Sequence, residues 1–382
     1  MRRAGILVLL LFLCSSLVYG AEPSVGAQGA ALMDGNTGRL LWGKNAEEPL
    51  AMASTTKIMT AILVLENANL DDVVTVSKNA ARQPEVDMDL KTGEQWRLGD
   101  LLSVMMLRSY NDTAVALAEH VSGSVEDFCA LMTKRAAELG AEDTVFGSPN
   151  GLDSQIPFEK HHSTAKDMAL IATYALKNEK FCEIIAQPEV TISEVTGKRQ
   201  RQVTNADRFL REYQGAMGVK TGYTNKAGHC FVGAAEQNGA RLVSAVLGSG
   251  WGSGGKEKKW TDTKAIMNYG FATFFLYEPA AKGQACGKVS VLHSHVPEVD
   301  AVLEEGYQGL FSKEEQEALE LIVSLPESIE APIQAGQVLG SAKLKLKEEI
   351  LAEIPVLAEG SAPDYTLGDW YFYLWKHWVT WF

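Results

Sequence analysis

No apolar run long enough to span a bilayer, no excess of basic residues and no CxxC pair occurs in this chain of 382 residues and 41.5 kDa. The first absence excludes a polytopic membrane protein. Lys and Arg number 35 against 48 Asp and Glu, a formal charge of −13. Such an acidic surface repels phosphate, so no nucleic acid is expected as a partner. Five cysteines without a CxxC argue against a zinc ribbon or a redox dithiol. Cys129, Cys182, Cys230 and Cys286 are expected as buried free thiols, because a chain of this size needs no disulfide to hold a core. There is no HExxH, and no carboxylate joins His161-His162 or the His293/His295 pair at ligand spacing, so no metal or other cofactor is expected. His229 is expected to be structural. Internal repeats and low-complexity tracts are also missing. What remains is an ordinary globular composition, 46% apolar and 22% charged, with length for two domains of roughly 100–200 residues each.

The two ends are unlike the middle. Arg2 and Arg3 precede an apolar run from Ile6 to Leu13, and small residues around Gly20-Ala21 suit cleavage. Residues 1–20 therefore predict a secretion signal and an exported protein. Leu13 before Cys14 is too large for a lipoprotein signal. Eight tryptophans occur, and Trp370, Trp375, Trp378 and Trp381 fall in the last thirteen residues. On a helix, Trp370, Leu374, Trp378 and Trp381 share one face, with Asp369, Tyr373, Lys376 and Thr380 on another. A helix from Asp369 to Phe382 would be about 21 Å long, too short for a ~30 Å hydrocarbon core. Lying in the membrane interface suits its Trp and Tyr; the alternative is a terminal helix packed on its own domain or a partner.

Between the ends, residues 22–48 predict strands around the turn Asp34-Gly35-Asn36. Helical periodicity runs from about Ser54 to Leu176. From Met217 the texture is strand-like, with Asn238-Gly239 as a hairpin turn. Beyond Pro279, short alternating runs such as Val289 to Leu292 and Val338 to Leu344 predict a small all-β domain. The expected plan is a signal at 1–20, an α+β domain with an antiparallel sheet and helical insert at 21–278, a β domain at 279–362, and an amphipathic tail at 363–382.

A serine made nucleophilic without histidine needs a nearby base, and a lysine three residues on shares its helical face. The chain has S-x-x-K at Ser54–Lys57, Ser163–Lys166 and Ser253–Lys256; S-x-N at Ser77–Asn79, Ser109–Asn111 and Ser148–Asn150; and K-T-G at Lys91–Gly93 and Lys220–Gly222. Each is weak alone. Taken alone, Ser54 is most simply a helix cap and Lys57 a solvated lysine. Penicillin-recognising serine enzymes need the three in this order, with K-T-G on a strand. Only Ser54 has both partners downstream. Lys91-Thr92-Gly93 sits in a polar turn and leaves no room for a helical insert. Lys220-Thr221-Gly222 opens the strand-rich stretch. Ser109–Asn111 lies between two helical patterns, where a loop can point polar groups into a cleft.

This set, with Pro49 to Lys57 (PLAMASTTK), Asn150-Gly151-Leu152, Gly218 to Cys230 (GVKTGYTNKAGHC) and Ala331 to Gly340 (APIQAGQVLG), resembles the low-molecular-mass penicillin-binding proteins that act as serine D-alanyl-D-alanine carboxypeptidases. The likeness covers nearly all of the chain after the signal. One departure is Tyr110, where the family most often has a small residue. The resemblance implies the fold of the penicillin-recognising serine enzymes and β-lactamases. It implies Ser54 as nucleophile, Lys57 as its base with a pKa lowered by Lys220, and Ser109 as a proton relay. Asn111 would hold the peptide amide, and Lys220 and Thr221 the terminal carboxylate. Gly222 would let substrate lie against the strand, and the N–H groups of Ser54 and Tyr223 would form the oxyanion hole. The implied partners are the peptidoglycan stem peptide, β-lactam inhibitors, and the outer face of the membrane through the tail. A β-lactamase is disfavoured, because Glu138 and Glu142 lie outside an E-x-x-L-N arrangement. A D,D-endopeptidase and a non-catalytic penicillin sensor stay open as alternatives.

Overall fold

The computed structural model describes residues 21–379. The signal expected over residues 1–20, and Thr380 and Trp381 of the tail, lie outside that range. The chain enters as β1 (Gly29–Asp34) and β2 (Leu40–Lys44). Asp34 closes their turn by accepting from the Asn36 N–H at 2.9 Å, as an aspartate at such a turn does. A single 3₁₀ turn, Ala53–Thr56, runs into α1 (Lys57–Asn67). Next come β3 (Val73–Thr75), β4 (Gln95–Arg97), α2 (Leu98–Arg108), α3 (Asn111–Ser122), α4 (Val125–Glu138), α5 (Ala165–Ala175) and α6 (Glu179–Ala186). The ribbon β5 (Glu189–Ser193) and β6 (Gln200–Thr204) and the single turn α7 (Phe209–Glu212) lead to β7 (Ala216–Thr224), β8 (Gly228–Gln237), β9 (Ala240–Leu247) and α8 (Gly252–Thr273).

The main sheet runs β2-β1-β9-β8-β7, antiparallel throughout. Its period-two alternation explains the layers. Ala31, Met33, Val243 and Ala245 face a core shared with α1 to α6. Ala30, Leu32, Leu242 and Val246 face a second core with Trp260, Ile266 and Met267 of α8. Helices thus cover both faces, and β7 is left at an edge. The strand-like reading after Met217 misses α8. That helix begins Gly252-Ser253-Gly254-Gly255, a poor start on propensity, and packing against the sheet holds it.

The rest of the chain is β10 (Phe275–Ala280), β11 (Ala285–Leu292), β12 (Glu298–Leu303), β13 (Tyr307–Phe311), the short α9 (Lys313–Glu317), β14 (Leu319–Ser324), β15 (Ser328–Glu330), β16 (Val338–Leu346), β17 (Glu349–Ala358) and α10 (Leu367–Val379). Six of these strands form a sheet in the order β14-β16-β17-β12-β11-β15, and β10 pairs with β13. Val289, Val299, Ala301, Ile354 and Val356 build its own core. The architecture is α+β followed by a β-rich part, as expected. The two parts meet at β1: Asp34 accepts from the Leu310 N–H at 2.9 Å. Arg39 bonds the Leu310 carbonyl at 2.5 Å and Glu315 at 2.7 Å.

Thr366 and Asp369 cap α10 reciprocally: each backbone N–H donates to the other's side chain. The helix presents the expected face in part: Leu374 and Trp378 are exposed, whereas Trp370 is half-buried. Trp370 and Tyr373 turn toward the β-rich part, with ring centroids 4.5 and 5.8 Å from that of His293, and Asp369 pairs with His295 at 3.1 Å. Leu367, Tyr371, Phe372, Leu374, Trp375 and Trp378 are its exposed large apolar side chains. Aromatic contacts with the histidines outweigh keeping Trp370 outward with Leu374 and Trp378. No helix among the described residues is long and apolar enough to cross a membrane. Cys129, Cys182, Cys230 and Cys286 are free thiols; the first and third are buried, the others half-buried. Burial pushes the Cys129 and Cys230 thiols up to about 12.

Candidate active site

Ser54 lies in the 3₁₀ turn ahead of α1, just after Ala53, whose φ is +48°. A left-handed alanine is strained, and such strain persists only where the surroundings hold it. The surroundings here are two glycine-bearing segments. A β-carbon on Gly222 of β7 would fall 2.9 Å from the Ser54 nitrogen and 3.1 Å from that of Thr55. One on Gly151, itself at φ +84°, would fall 2.0 Å from the Ala53 carbonyl oxygen. The sequence reading reserves Gly222 for substrate; in the structure its missing side chain makes room for the backbone of the serine turn.

Lys57, in the first turn of α1, is fully buried. Its Nζ donates to Ser54 Oγ at 3.1 Å, to Asn111 Oδ1 at 2.8 Å and to the Asn150 carbonyl at 2.5 Å. Three acceptors match the three protons of an ammonium. Burial first, and Lys220 second, nevertheless hold its pKa well below the ordinary lysine value, with Asp112 opposing. Asp112 is itself buried and accepts from the N–H groups of Met88, Leu90 and Thr113. That pins the 84–90 segment to the start of α3.

Asn111, at the start of α3, has both amide atoms occupied. Its Oδ1 takes the Lys57 bond, and its Nδ2 donates to the Pro84 and Glu85 carbonyls at 3.2 Å each. Holding a substrate amide would mean giving one of these up. Ser109 caps α2 at φ +69°, and its Oγ is buried with no hydrogen-bond partner among the described residues. Tyr110, the departure from the family pattern, is half-buried and packs on the helical core.

Lys220 is buried on β7 and donates to the Thr221 carbonyl at 3.1 Å. Burial and the nearby Lys259 lower it to about 7, with Asp207 opposing. Burial raises Asp207 to about 6 and lowers Lys259 to about 8. Thr221 is half-buried, and Tyr223 is exposed with its ring 4.4 Å from that of His229. His229 contacts the Gly252 carbonyl at 3.0 Å. His161 is buried, accepts from the Gly147 N–H, and is held down to about 4 by burial. Both do structural work.

The structure thus brings Ser54, Lys57 and Asn111 into direct contact, sets Gly222 against Ser54, and places Lys220 within electrostatic reach of Lys57. The Ser109 hydroxyl, two residues before Asn111, has no hydrogen-bond partner among the described residues. The sequence reading missed the Asn150 carbonyl and the Asp207/Lys259 pair around Lys220. Asn150-Gly151 was on view only as a matching tripeptide, since a backbone carbonyl has no residue signature. Residues 18–250 match the sequence family described as D-alanyl-D-alanine carboxypeptidase. The chain belongs to that family. Residues 274–363 match the C-terminal domain of penicillin-binding protein 5. Among individual carboxypeptidases, the chain is 34% identical to Bacillus subtilis DacF, covering 90% of each. It is 31% identical to Escherichia coli DacC, covering 91% of this chain and 88% of that one. The structure of penicillin-binding protein 5 from Haemophilus influenzae superposes with a TM-score of 0.74 at 26% identity, covering 90% of this chain and 99% of that one. As a D-alanyl-D-alanine carboxypeptidase, the chain is a serine hydrolase of the penicillin-binding type.

Proposed function

We propose that Ser54 removes the terminal D-alanine from peptidoglycan stem pentapeptides through an acyl-enzyme. The observation that carries this is the buried Lys57 Nζ 3.1 Å from Ser54 Oγ, with its pKa held down by burial and Lys220. The lowered pKa favours the neutral lysine that the mechanism needs, which takes the serine proton as Oγ attacks the penultimate carbonyl carbon. The N–H groups of Ser54 and Tyr223 receive the oxyanion. Lys220 and Thr221 bind the terminal carboxylate. Ser109 carries the proton to the leaving amine, and its unpartnered hydroxyl suits a group that bonds only when substrate arrives. D-alanine departs, and water then cleaves the Ser54 ester and regenerates the pair. A β-lactam acylates the same oxygen and leaves slowly.

The division into residues 21–278, 279–362 and 363–382 assigns this chemistry to the first segment. The signal-like start assigns the enzyme to the outside of the cytoplasmic membrane. The tail then rests in the interface through Leu367, Tyr371, Leu374, Trp375 and Trp378, an exposed aromatic strip of the kind that settles there. The deciding experiment measures D-alanine freed from a diacylated Lys-D-Ala-D-Ala by the protein and by Ser54→Ala. Release by the first alone is the expected result. Release by both would make Ser54 the wrong nucleophile. No release from a folded protein would favour an endopeptidase or a sensor.

A further inference from the structure

Lys57 Nζ is held by acceptors from two other segments, Asn111 Oδ1 at 2.8 Å and the Asn150 carbonyl at 2.5 Å. The same carbonyl accepts from Ser54 Oγ at 3.3 Å, so it touches both members of the serine–lysine pair. A loop carbonyl keeps its direction only if its segment is fixed. Three contacts fix this one. Ser148 Oγ donates to the Leu152 carbonyl at 3.1 Å and accepts from the Gly151 N–H at 3.0 Å. Thr60 Oγ1 of α1 donates to the Pro149 carbonyl at 2.6 Å. The buried Asn150 side chain supplies the third. Its Oδ1 accepts from the Leu152 N–H at 3.0 Å, and its Nδ2 donates to Gln83 Oε1 at 3.0 Å, across 67 positions.

Gln83 begins a segment that is tied to the site from its other end. Asn111 Nδ2 donates to the Pro84 and Glu85 carbonyls, and the Asn111 N–H donates to the Val86 carbonyl at 2.9 Å. Glu85 sits at φ +55°, a strained backbone that persists only where its surroundings hold it. The bonds form a closed ring: Lys57 to Asn111, Asn111 to the 84–86 segment, Gln83 to Asn150, and Asn150 back to Lys57. A cavity of about 390 Å³ has Gln83, Pro84, Pro149 and Asn150 among its walls. Packing on that side does not substitute for the Gln83–Asn150 bond.

We propose that Gln83 is a positioning residue for the reaction: its bond to the Asn150 side chain closes the ring and keeps the Asn150 carbonyl, and through it Lys57 Nζ, aligned with Ser54 Oγ. The proposal rests on the reading of Lys57 as the base and deepens it by naming what aims that base.

The ring dictates the chemistry needed at position 83. The Leu152 N–H claims Asn150 Oδ1, so Nδ2 faces Gln83, and residue 83 must offer an acceptor. Glutamate offers one; methionine, of similar length, has only a weakly accepting sulfur. The test measures D-alanine release from diacetyl-Lys-D-Ala-D-Ala by the full chain, Gln83→Met, Gln83→Glu and Lys57→Met, each at its own optimal pH beside a thermal melt. Gln83→Met should lower kcat about ten-fold, a fraction of the hundred-fold that an ångström of misplacement costs, with KM within two-fold and the melt little changed. Gln83→Glu should recover most of that kcat. A Gln83→Met kcat within two-fold of the parent would overturn the proposal. So would an equal loss in both Gln83 variants, which would make position 83 a matter of loop packing. Release retained by a folded Lys57→Met would instead remove Lys57 as the base, and the role of the ring with it.

Discussion

Gly222 of β7 and Ser54 of the 3₁₀ turn are packed so closely that a β-carbon on the glycine would sit 2.9 Å from the serine nitrogen. Both the edge strand and the serine turn are backbone at this contact, so neither can rotate away. Gly222→Ala should therefore displace the turn by a few tenths of an ångström or more. Misplacement on the ångström scale costs about a hundred-fold in well-oriented reactions, so acylation by penicillin should slow by about ten- to a hundred-fold. Stopped-flow acylation beside a thermal melt separates this from unfolding. An unchanged acylation rate in a folded variant would show that the close approach serves packing alone.

The proposed mechanism assigns the acid limb of activity to Lys57. The proposed mechanism needs its neutral form, so activity is lost as pH falls through its depressed pKa. Asn111 Oδ1 contacts Nζ at 2.8 Å. Asn111→Asp puts a negative charge there, stabilises the ammonium and raises that pKa. The acid limb of kcat/KM should then move to higher pH, by one unit or more on the scale of an opposite charge at this distance. A pH profile of D-alanine release checks it. A limb that stays in place would mean that another group sets it.

Much of this site was legible in the sequence, and the reason is local. Ser54 and Lys57 are three residues apart on one helical start, Ser109 to Asn111 spans one loop, and Lys220 to Gly222 lies on one strand, so each motif is readable within one segment, and their order and the family resemblance join them. What was hidden is either backbone or remote. The Asn150 carbonyl reaches Lys57 across 93 positions. Asp207 and Lys259 act on Lys220 from different elements. Helix α8 opens on three glycines in four residues, and only burial of Trp260, Ile266 and Met267 against the sheet makes it a helix. Leu374 and Trp378 of the tail face outward as expected, but Trp370 turns in, because the pull of His293 and His295 on Trp370, Tyr373 and Asp369 is a tertiary effect.

Lys220 sets the alkaline side. In the proposed mechanism it binds carboxylate as an ammonium, and in the free enzyme it is lowered to about 7 by burial and Lys259 while Asp207 opposes. Binding should weaken as pH rises through that value. Asp207→Asn removes the opposing charge, so the Lys220 pKa falls further and the alkaline limb of kcat/KM moves to lower pH. At pH 7.5, KM for the tripeptide should rise more than kcat falls. Acylation by a carboxylate-free ester should be nearly indifferent. Equal losses on both substrates would place Asp207 in the fold and not behind Lys220.

The joint between the two parts of the chain includes a partly covered charged contact that can be tested. Arg39 bonds the Leu310 carbonyl and Glu315 and stacks on Phe311 at 4.7 Å. Its side chain is mostly covered, whereas Glu315 is partly exposed. Arg39→Met keeps much of the packing and leaves Glu315 without its cation. The expected cost is about 1–3 kcal/mol, the range for a hydrogen bond to a charged group. Calorimetry should show it as a lowered midpoint for the β-rich part, with penicillin acylation intact. An unchanged midpoint would mean that Asp34 and the apolar contacts hold the joint alone.

The tail can be tested apart from the fold, because α10 shows its aromatic strip outward. Trp370, Tyr373 and Asp369 bind it to His293 and His295, while Leu374 and Trp375 are 62% and 54% exposed. Substituting the outward pair, Leu374→Glu with Trp375→Glu, removes apolar contact with a membrane and adds two negative charges that the hydrocarbon boundary rejects. The helix stays docked, since neither residue touches the histidines. The double variant should lose co-sedimentation with phosphatidylglycerol vesicles and keep its turnover of the soluble tripeptide. Deleting residues 367–382 should do the same. If vesicle binding survives both changes, the interface lies elsewhere on the chain. If the deletion also abolishes turnover, α10 is part of the fold that supports Ser54 and not an appended anchor.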